Sequence, residues 1–378
     1  MSKTARTRTI KLAVDANEAN TPLPVGSGVY TLELLKHWSK KNSLSVDCYL
    51  KSPPLPTLPA ATDSWRYHVL RPRHFWLHFA LPLHLSRVYP EHEVFFSPAH
   101  YTPPLTGIPL VVTIHDLAFE YFPEQFLPRD LYKLRKWTAL SVRRAHCVIA
   151  VSENTKRDII KYYQVPADKI TVIHNGYDRE RFQARAKLNP SFLKAYNLTP
   201  LNYILHVGTI QPRKNIISLV RAFESLKASG AYRGKLVLAG RTGWLSEDTL
   251  ASIRSSPFGR DIVLTGYVPV DKQSSLYHGA SILVLPSLYE GFGIPALEAM
   301  ACGTPVAASN NSSLPEVVGR GGEYFDATSQ SEIAGKILTV LKNRARYIPL
   351  ALTQARKFSW ERTASQTLRV LEKASLRN

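Results

Sequence analysis

Two glutamates eight residues apart, Glu290 and Glu298, flank the loop Gly291-Phe292-Gly293-Ile294-Pro295. The apolar run at 281–287 before them reads as a strand, and 296–301 after them as a helix. Proline in a first helical turn gives up only an N–H that would lack an intrahelical partner there. The spacing therefore predicts strand, glycine loop and short helix, with the helix N-terminus opening on the loop. Such a terminus suits an anionic or polyhydroxyl ligand. Glu290 would face it from the loop, and Glu298 from nearly a full turn into the helix. Two carboxylates so placed can accept hydrogen bonds from two different sugars of one molecule. A buried strand–turn–helix with two incidental glutamates is the plainer reading of the same spacing.

Arg213 and Lys214 precede a helix with apolar period Ile216, Leu219, Val220 and Phe223. Two cations beside a helix N-terminus can hold a diphosphate; solvated charge is the alternative. His115 ends the apolar run at 110–114, with Asp116 next to it. The C-terminal end of a parallel strand is where open α/β sheets bind ligands, although a structural histidine also occurs there. Gly26 and Gly28 lie between a strand at 9–15 and an amphipathic helix at 29–41. They permit close backbone approach to a phosphate or sugar. Without a third glycine they are no dinucleotide fingerprint.

These residues need a scaffold, and strand–loop–helix units recur to supply one. Strands are expected at 44–50, 94–97 and 203–207, and within 235–243 and 261–269, each of these two ending in a glycine turn, with a final strand-turn at 321–326. The run 147–163 reads as strand, loop and helix with Ser152 as N-cap; 169–178 is a strand and an Asn175-Gly176 turn. A helix is expected at 331–342, and the polar stretch 179–200 is the expected linker. Residues 71–90 interleave arginine, histidine and aromatic side chains around Pro82. Two readings stand: a membrane-contacting amphipathic helix, or an interrupted helix packed beside the sheet.

At 378 residues two domains are expected. The composition, 44% hydrophobic, is that of a globular protein, and no apolar run is long enough to span a membrane. The N-terminus is basic and leads directly into a strand, unlike a secretory signal. Cys48, Cys147 and Cys302 are dispersed and odd in number, so reduced core residues are expected, with neither a disulfide framework nor a metal site. Net charge is +19, from 48 basic and 29 acidic residues. Such a balance favours anionic partners. Without a dense basic block or recognition motif, nucleic acid is not expected, which leaves phosphorylated substrates or an acidic lipid surface as the anionic partner.

The run EGFGIPALEAMACGTPV closely resembles the E-x7-E signature of the retaining GT-B glycosyltransferases of family GT4. VVTIHDLAFEYFP, SENTKRD, HNGYD and VGTIQPRKNI look like further landmarks of that family in its order, so the resemblance covers nearly the whole chain. It implies an α/β GT-B fold: two Rossmann-like doubly wound domains facing a central cleft. The domains would be 1–183, with 358–378 crossing back onto it, and a donor-binding 184–357. By the resemblance, Glu290 lies at the donor sugar, Glu298 at the ribose and Lys214 at the diphosphate. Gly26 and Gly28 close over the donor with the 291–293 loop, and His115 reaches the donor sugar, with Asp116 a possible acceptor-side partner. Tyr267 and Val268 are candidate base contacts. Thr209 stands where relatives often carry arginine, so Arg213 is the candidate for that role.

The implied activity is transfer of a sugar from a nucleotide diphosphate to a glycan or lipid-linked hydroxyl, with retention. No D-x-D occurs, so no metal or other cofactor is expected beyond the nucleotide-sugar co-substrate. HDLAFEYFPEQF resembles bacterial mannosyltransferases of surface polysaccharide synthesis, which points to GDP-mannose. The expected location is cytoplasmic or peripheral on the inner membrane face. A glycoside hydrolase, a nucleotide-sugar epimerase of the same fold and a non-enzymatic basic membrane binder are the alternatives.

Overall fold

A computed structural model describes residues 9–376 except 25, 90, 105, 186 and 187. The basic N-terminal stretch before residue 9 therefore lies outside the described residues. The chain forms two compact units, one of residues up to 121, 126–175 and 360 onward, the other of 122–125 and 176–359.

The first unit carries β1 (Ile10–Asp15), β2 (Leu44–Leu50), β3 (Trp65–Val69), β4 (Val94–Ser97), β5 (Leu110–Ile114), β6 (Cys147–Ala150) and β7 (Ile170–Val172). They pair in parallel in the order β3-β2-β1-β4-β5-β6-β7. The second carries β8 (Tyr203–Val207), β9 (Lys235–Ala239), β10 (Ile262–Gly266), β11 (Ile282–Leu285), β12 (Val306–Ser309) and β13 (Gly322–Phe325). Its parallel order is β10-β9-β8-β11-β12-β13. Parallel strands covered by helices on both faces must be apolar throughout. Accordingly β4, β5, β6 and β11 are buried at every position. In each sheet the strand order reverses once, between β1 and β4 and between β8 and β11. The loops leaving those strands are where a doubly wound sheet presents side chains to a ligand.

The C-terminal helix Trp360–Ser375 belongs to the first unit. Trp38, fully buried at the end of the helix Ser27–Trp38, donates its Nε1–H to the Ala364 carbonyl at 3.0 Å and packs edge-on against Phe96. Thr363 donates to the His174 carbonyl at 2.7 Å. Trp38→Ala is expected to cost about 3–5 kcal/mol, seen as a lower urea midpoint at unchanged slope. A shift under about 1 kcal/mol would mean that the C-terminal helix is not held by this contact.

Several elements differ from the sequence reading. The first helix starts at Ser27, so Gly28 lies within it. Residues 76–80 form one wide π-type turn that runs into the α-helix Leu81–Arg87. Pro82 is in the first turn of that helix, where its missing N–H costs little, so it does not interrupt it. The 179–200 stretch contains a helix, Pro190–Ala195, capped by the Asn189 side chain accepting from the Phe192 N–H. The edge strand β3 and the helices Glu247–Ser255, Val270–Gly279 and Arg344–Ala355 were not foreseen. Ser152 caps the helix Glu153–Tyr163 as expected, accepting from the Thr155 N–H.

Candidate active site

In the second unit, the loops after β8 and β11 meet at the point where the strand order reverses. Residues 212–214 form a single 3-10 turn, and Asn215 follows in the left-handed region at φ 53° before the helix Ile216–Ala228. Asparagine tolerates that conformation better than most residues. Its side-chain amide donates to the carbonyls of Pro286 (3.0 Å) and Ala327 (2.7 Å), tying the turn to the ends of β11 and β13. The turn is thus fixed before any ligand arrives, and it holds Lys214 against Glu290.

Lys214 Nζ donates to Glu290 Oε1 at 2.6 Å, and Ser287 Oγ donates to the same oxygen at 2.7 Å. Arg213 Nη1 lies 3.8 Å from Glu290 Oε2 and donates to the Tyr289 carbonyl at 2.7 Å. The Glu290 N–H donates to Ser312 Oγ, while Ser313 Oγ donates to the carbonyls of Glu290 and Phe292. Glu290 is only 8% exposed. Burial pushes its carboxyl up, but Lys214 and Arg213 more than offset this and leave it below the usual range. Glu290, Lys214 and Arg213 thus form a largely covered cluster of charged groups. Cations held in this way are suited to a phosphate group.

Gly293, at φ 103°, caps the helix Ile294–Ala301, and a Cβ there would also come within 2.9 Å of Leu314. Phe292 is buried, edge-on to Phe358, so the loop would offer a ligand its backbone more than that ring. Glu298 projects from the helix and accepts from the Tyr277 hydroxyl at 2.7 Å. Burial pushes Glu298 up to about 7, against the Tyr277 hydrogen bond and Arg181, which pull it down.

This fixes a pH dependence. The folded chain keeps a proton that the unfolded carboxyl releases near pH 4.5, so the contribution of Glu298 is complete below that pH and lost as pH rises through about 7. Glu298→Gln retains an acceptor for Tyr277 and removes the titration. Its melting temperature should exceed that of the wild type at about pH 8, by the equivalent of ~1–3 kcal/mol, and converge on it below about pH 5. Parallel pH profiles would overturn this account.

Tyr267, after β10, lies under the Arg241 guanidinium, 4.8 Å from its ring centre. Val268 is buried, and its carbonyl accepts from Gln273 Nε2 at 3.2 Å.

In the first unit, His115 leaves the end of β5 and its Nε2–H donates to the Pro98 carbonyl, beyond β4, at 2.7 Å. Tyr30 meets its ring edge-on, and the His100 ring lies 6.0 Å away. Burial, then His100, lowers His115 to about 4, so it is neutral at ordinary pH. With Nε2–H committed to Pro98 and the ring neutral, Nδ1 is the nitrogen left as an acceptor. Asp116 Oδ1 accepts from the Ala118 N–H at 3.0 Å, capping the short turn that follows. Gly26 has φ 51° and ψ −110°, a region only glycine enters readily. A Cβ on Gly28 would fall 2.6 Å from the Glu18 carbonyl oxygen, so its hydrogen is needed for loop packing.

Sequence reasoning missed Asn215, Ser287, Ser312, Ser313, Tyr277 and His206. Asn215 had a readable signal, an asparagine between a turn and an apolar-periodic helix. The serines and Tyr277 had none, because only the fold brings them to the two carboxylates. His206, on β8, is fully buried with Nδ1 on the Val284 carbonyl at 3.0 Å. Among the described residues no cluster of His, Cys, Asp and Glu suits a metal ion.

Residues 24–181 match the family model for Glycosyltransferase Family 4, and 193–355 that for Glycosyl transferases group 1. The chain is 35% identical over 262 residues to O-antigen chain mannosyltransferase B of Escherichia coli, covering 68% of each chain. It is 34% identical over 229 residues to the serotype-specific mannosyltransferase WbdA of E. coli, spanning 58% of this chain but 28% of that larger protein. Sucrose-phosphate synthase from Thermosynechococcus elongatus superposes with a TM-score of 0.76 at 19% identity, over 97% of this chain and 98% of that one. The chain belongs to the family 4 glycosyltransferases and is a hexosyltransferase built from two Rossmann-like domains on the GT-B plan.

Proposed function

We propose that this enzyme transfers mannose from GDP-mannose to a hydroxyl of a glycan or lipid-linked acceptor, with retention at the anomeric carbon. The observation that carries the reading is the covered Arg213–Lys214–Glu290 cluster where the second sheet's strand order reverses. Breaking the bond from the anomeric carbon to phosphate puts negative charge on the leaving diphosphate and positive charge on the sugar. Preorganised opposite charges are the largest contribution a site can make to such a step. Lys214 and Arg213 meet the diphosphate in place of a divalent metal, and Glu290 turns to the sugar as Lys214 is drawn off it. Glu298 accepts from the ribose, and Tyr267 and Val268 border the base. His115 Nδ1 accepts from a sugar hydroxyl. Mannose is favoured by the activities of the two E. coli relatives, both mannosyltransferases. Three buried free cysteines suit a reducing, cytoplasmic setting.

The test combines thermal shifts with GDP, UDP, ADP and dTDP and an assay of acceptor-dependent GDP release. At about a hundred times its dissociation constant, the right nucleotide adds about 2.7 kcal/mol of stability. GDP should shift the melt most, and GDP release should require acceptor. Preference for another nucleotide would replace GDP-mannose, indifference to all four would remove the donor site, and isomerisation without nucleotide release would indicate an epimerase.

A further inference from the structure

The segment 71–89 buries one side and presents another apolar side to solvent. Trp76, Ala80, Leu81 and Leu85 are buried in a core cluster with Tyr49 and Phe95. Trp76 Nε1 donates to the Leu50 carbonyl at 3.2 Å, and Arg73 Nε to the Lys51 carbonyl at 2.9 Å. His84 packs against Tyr49 and His68, and His68 joins Arg66 and His92 around the buried carboxylate of Asp47. The segment is thus firmly seated, and its outer face is a fixed feature of the fold.

That outer face carries Phe75, Phe79 and Leu83, spaced four apart and 67%, 58% and 40% exposed. Large aromatic side chains left in water at helical spacing carry a free-energy cost that a soluble surface ordinarily avoids, and such patches mark contact surfaces. Charge identifies the contact. No Asp or Glu occurs between Asp63 and Glu91, while Arg71, Arg73 and Arg87 are all exposed. His78 stacks on Trp137 at 3.8 Å, which brings the helix Pro128–Arg144 alongside. That helix adds exposed Tyr132, Lys136, whose ammonium donates to the Tyr132 hydroxyl, and Lys133, which lies 3.9 Å from the exposed Asp130 carboxylate. Apolar wedges ringed by cations match a surface with an apolar interior and an anionic face, which is what a bilayer containing acidic lipids presents. A protein partner would ordinarily supply carboxylates to specific pairs instead of a diffuse anionic field.

We infer that the Phe75–Phe79–Leu83 face, with its arginines and the Tyr132–Lys133–Lys136 edge, docks the enzyme on the surface of an anionic membrane. The inference is independent of the donor and acceptor reading, because none of these side chains belongs to the catalytic cluster.

The test is sedimentation of the whole chain with large vesicles of phosphatidylcholine alone or with about 30% phosphatidylglycerol, at low and high salt. The wild type should pellet with the anionic vesicles only, and less at high salt, because surface charge is screened. Phe75→Ser/Phe79→Ser should weaken partitioning at least about tenfold, since each ring loses most of its apolar transfer gain. Arg71→Ala/Lys133→Ala should weaken it by roughly fivefold per charge removed. All substituted side chains are exposed, so melting temperature and turnover on a water-soluble acceptor should be unchanged, which separates loss of docking from loss of fold or activity. No partitioning to anionic vesicles, or partitioning untouched by the phenylalanine pair, overturns the inference. So does self-association in solution that the phenylalanine variant dissolves, which would assign the face to a second copy.

Discussion

Lys214→Ala is expected to lower kcat/KM for sugar transfer by about 10²–10³-fold and to weaken nucleoside diphosphate binding by roughly 10–100-fold. In the proposed reaction Lys214 contributes a charge-assisted hydrogen bond to a group whose negative charge grows, so rate should suffer more than ground-state binding. The change also strands Glu290, which keeps the Ser287 hydroxyl and the more distant Arg213. Breaking a buried pair from one side can cost up to about 3–5 kcal/mol. The wild-type carboxyl is held low, so its contribution is present above the unfolded value of 4.5 and disappears as pH falls through the folded one. In Lys214→Ala that acid-side loss should shrink, because the carboxyl no longer gains from being charged. Melting curves from pH 3 to 8 and nucleotide titrations at neutral pH check both parts. Unaltered nucleotide affinity would place the diphosphate elsewhere.

Glu290→Gln and Glu290→Ala should behave in the opposite way toward nucleotide. Removing the carboxylate leaves Arg213 and Lys214, whose side chains are about one-seventh exposed, without their shared anion. A diphosphate then neutralises them, so affinity for the free nucleotide is expected to hold or to tighten by about fivefold. Turnover should nevertheless fall about 10²–10³-fold, because the group proposed to face the developing positive charge on the sugar is gone. Loss of nucleotide affinity from one residue and none from its neighbour 2.6 Å away distinguishes a catalytic pair from a structural one. Because they touch, the double variant should fall well short of the sum of the single effects. Wild-type turnover in Glu290→Gln would remove the carboxylate from the reaction.

The sequence by itself determined the alternation of apolar strands with glycine turns and amphipathic helices, and with it two doubly wound units. It also determined the chemical groups: Glu290, Glu298, Arg213, Lys214 and His115 each follow a strand or open a helix, where local pattern is most readable. The edge strand β3 was not legible, since its alternate exposure carries little hydrophobic signal. The helix Pro190–Ala195 was hidden in a polar stretch whose pattern is too short to show a period. Only the tertiary structure decided which groups are partners. Lys214 and Glu290 are 76 residues apart in sequence and meet because β8 and β11 are neighbours in the sheet. Their burial converts two ordinary charges into a covered pair with Glu290 held low, while burial beside Tyr277 pushes Glu298 up to about 7. His115 gave no hint in sequence that its Nε2 proton belongs to Pro98. Spacing along the chain specifies which side chains leave the ends of strands. Desolvation and hydrogen-bond partners, which set charge and proton position, arise only when non-neighbouring segments close around them.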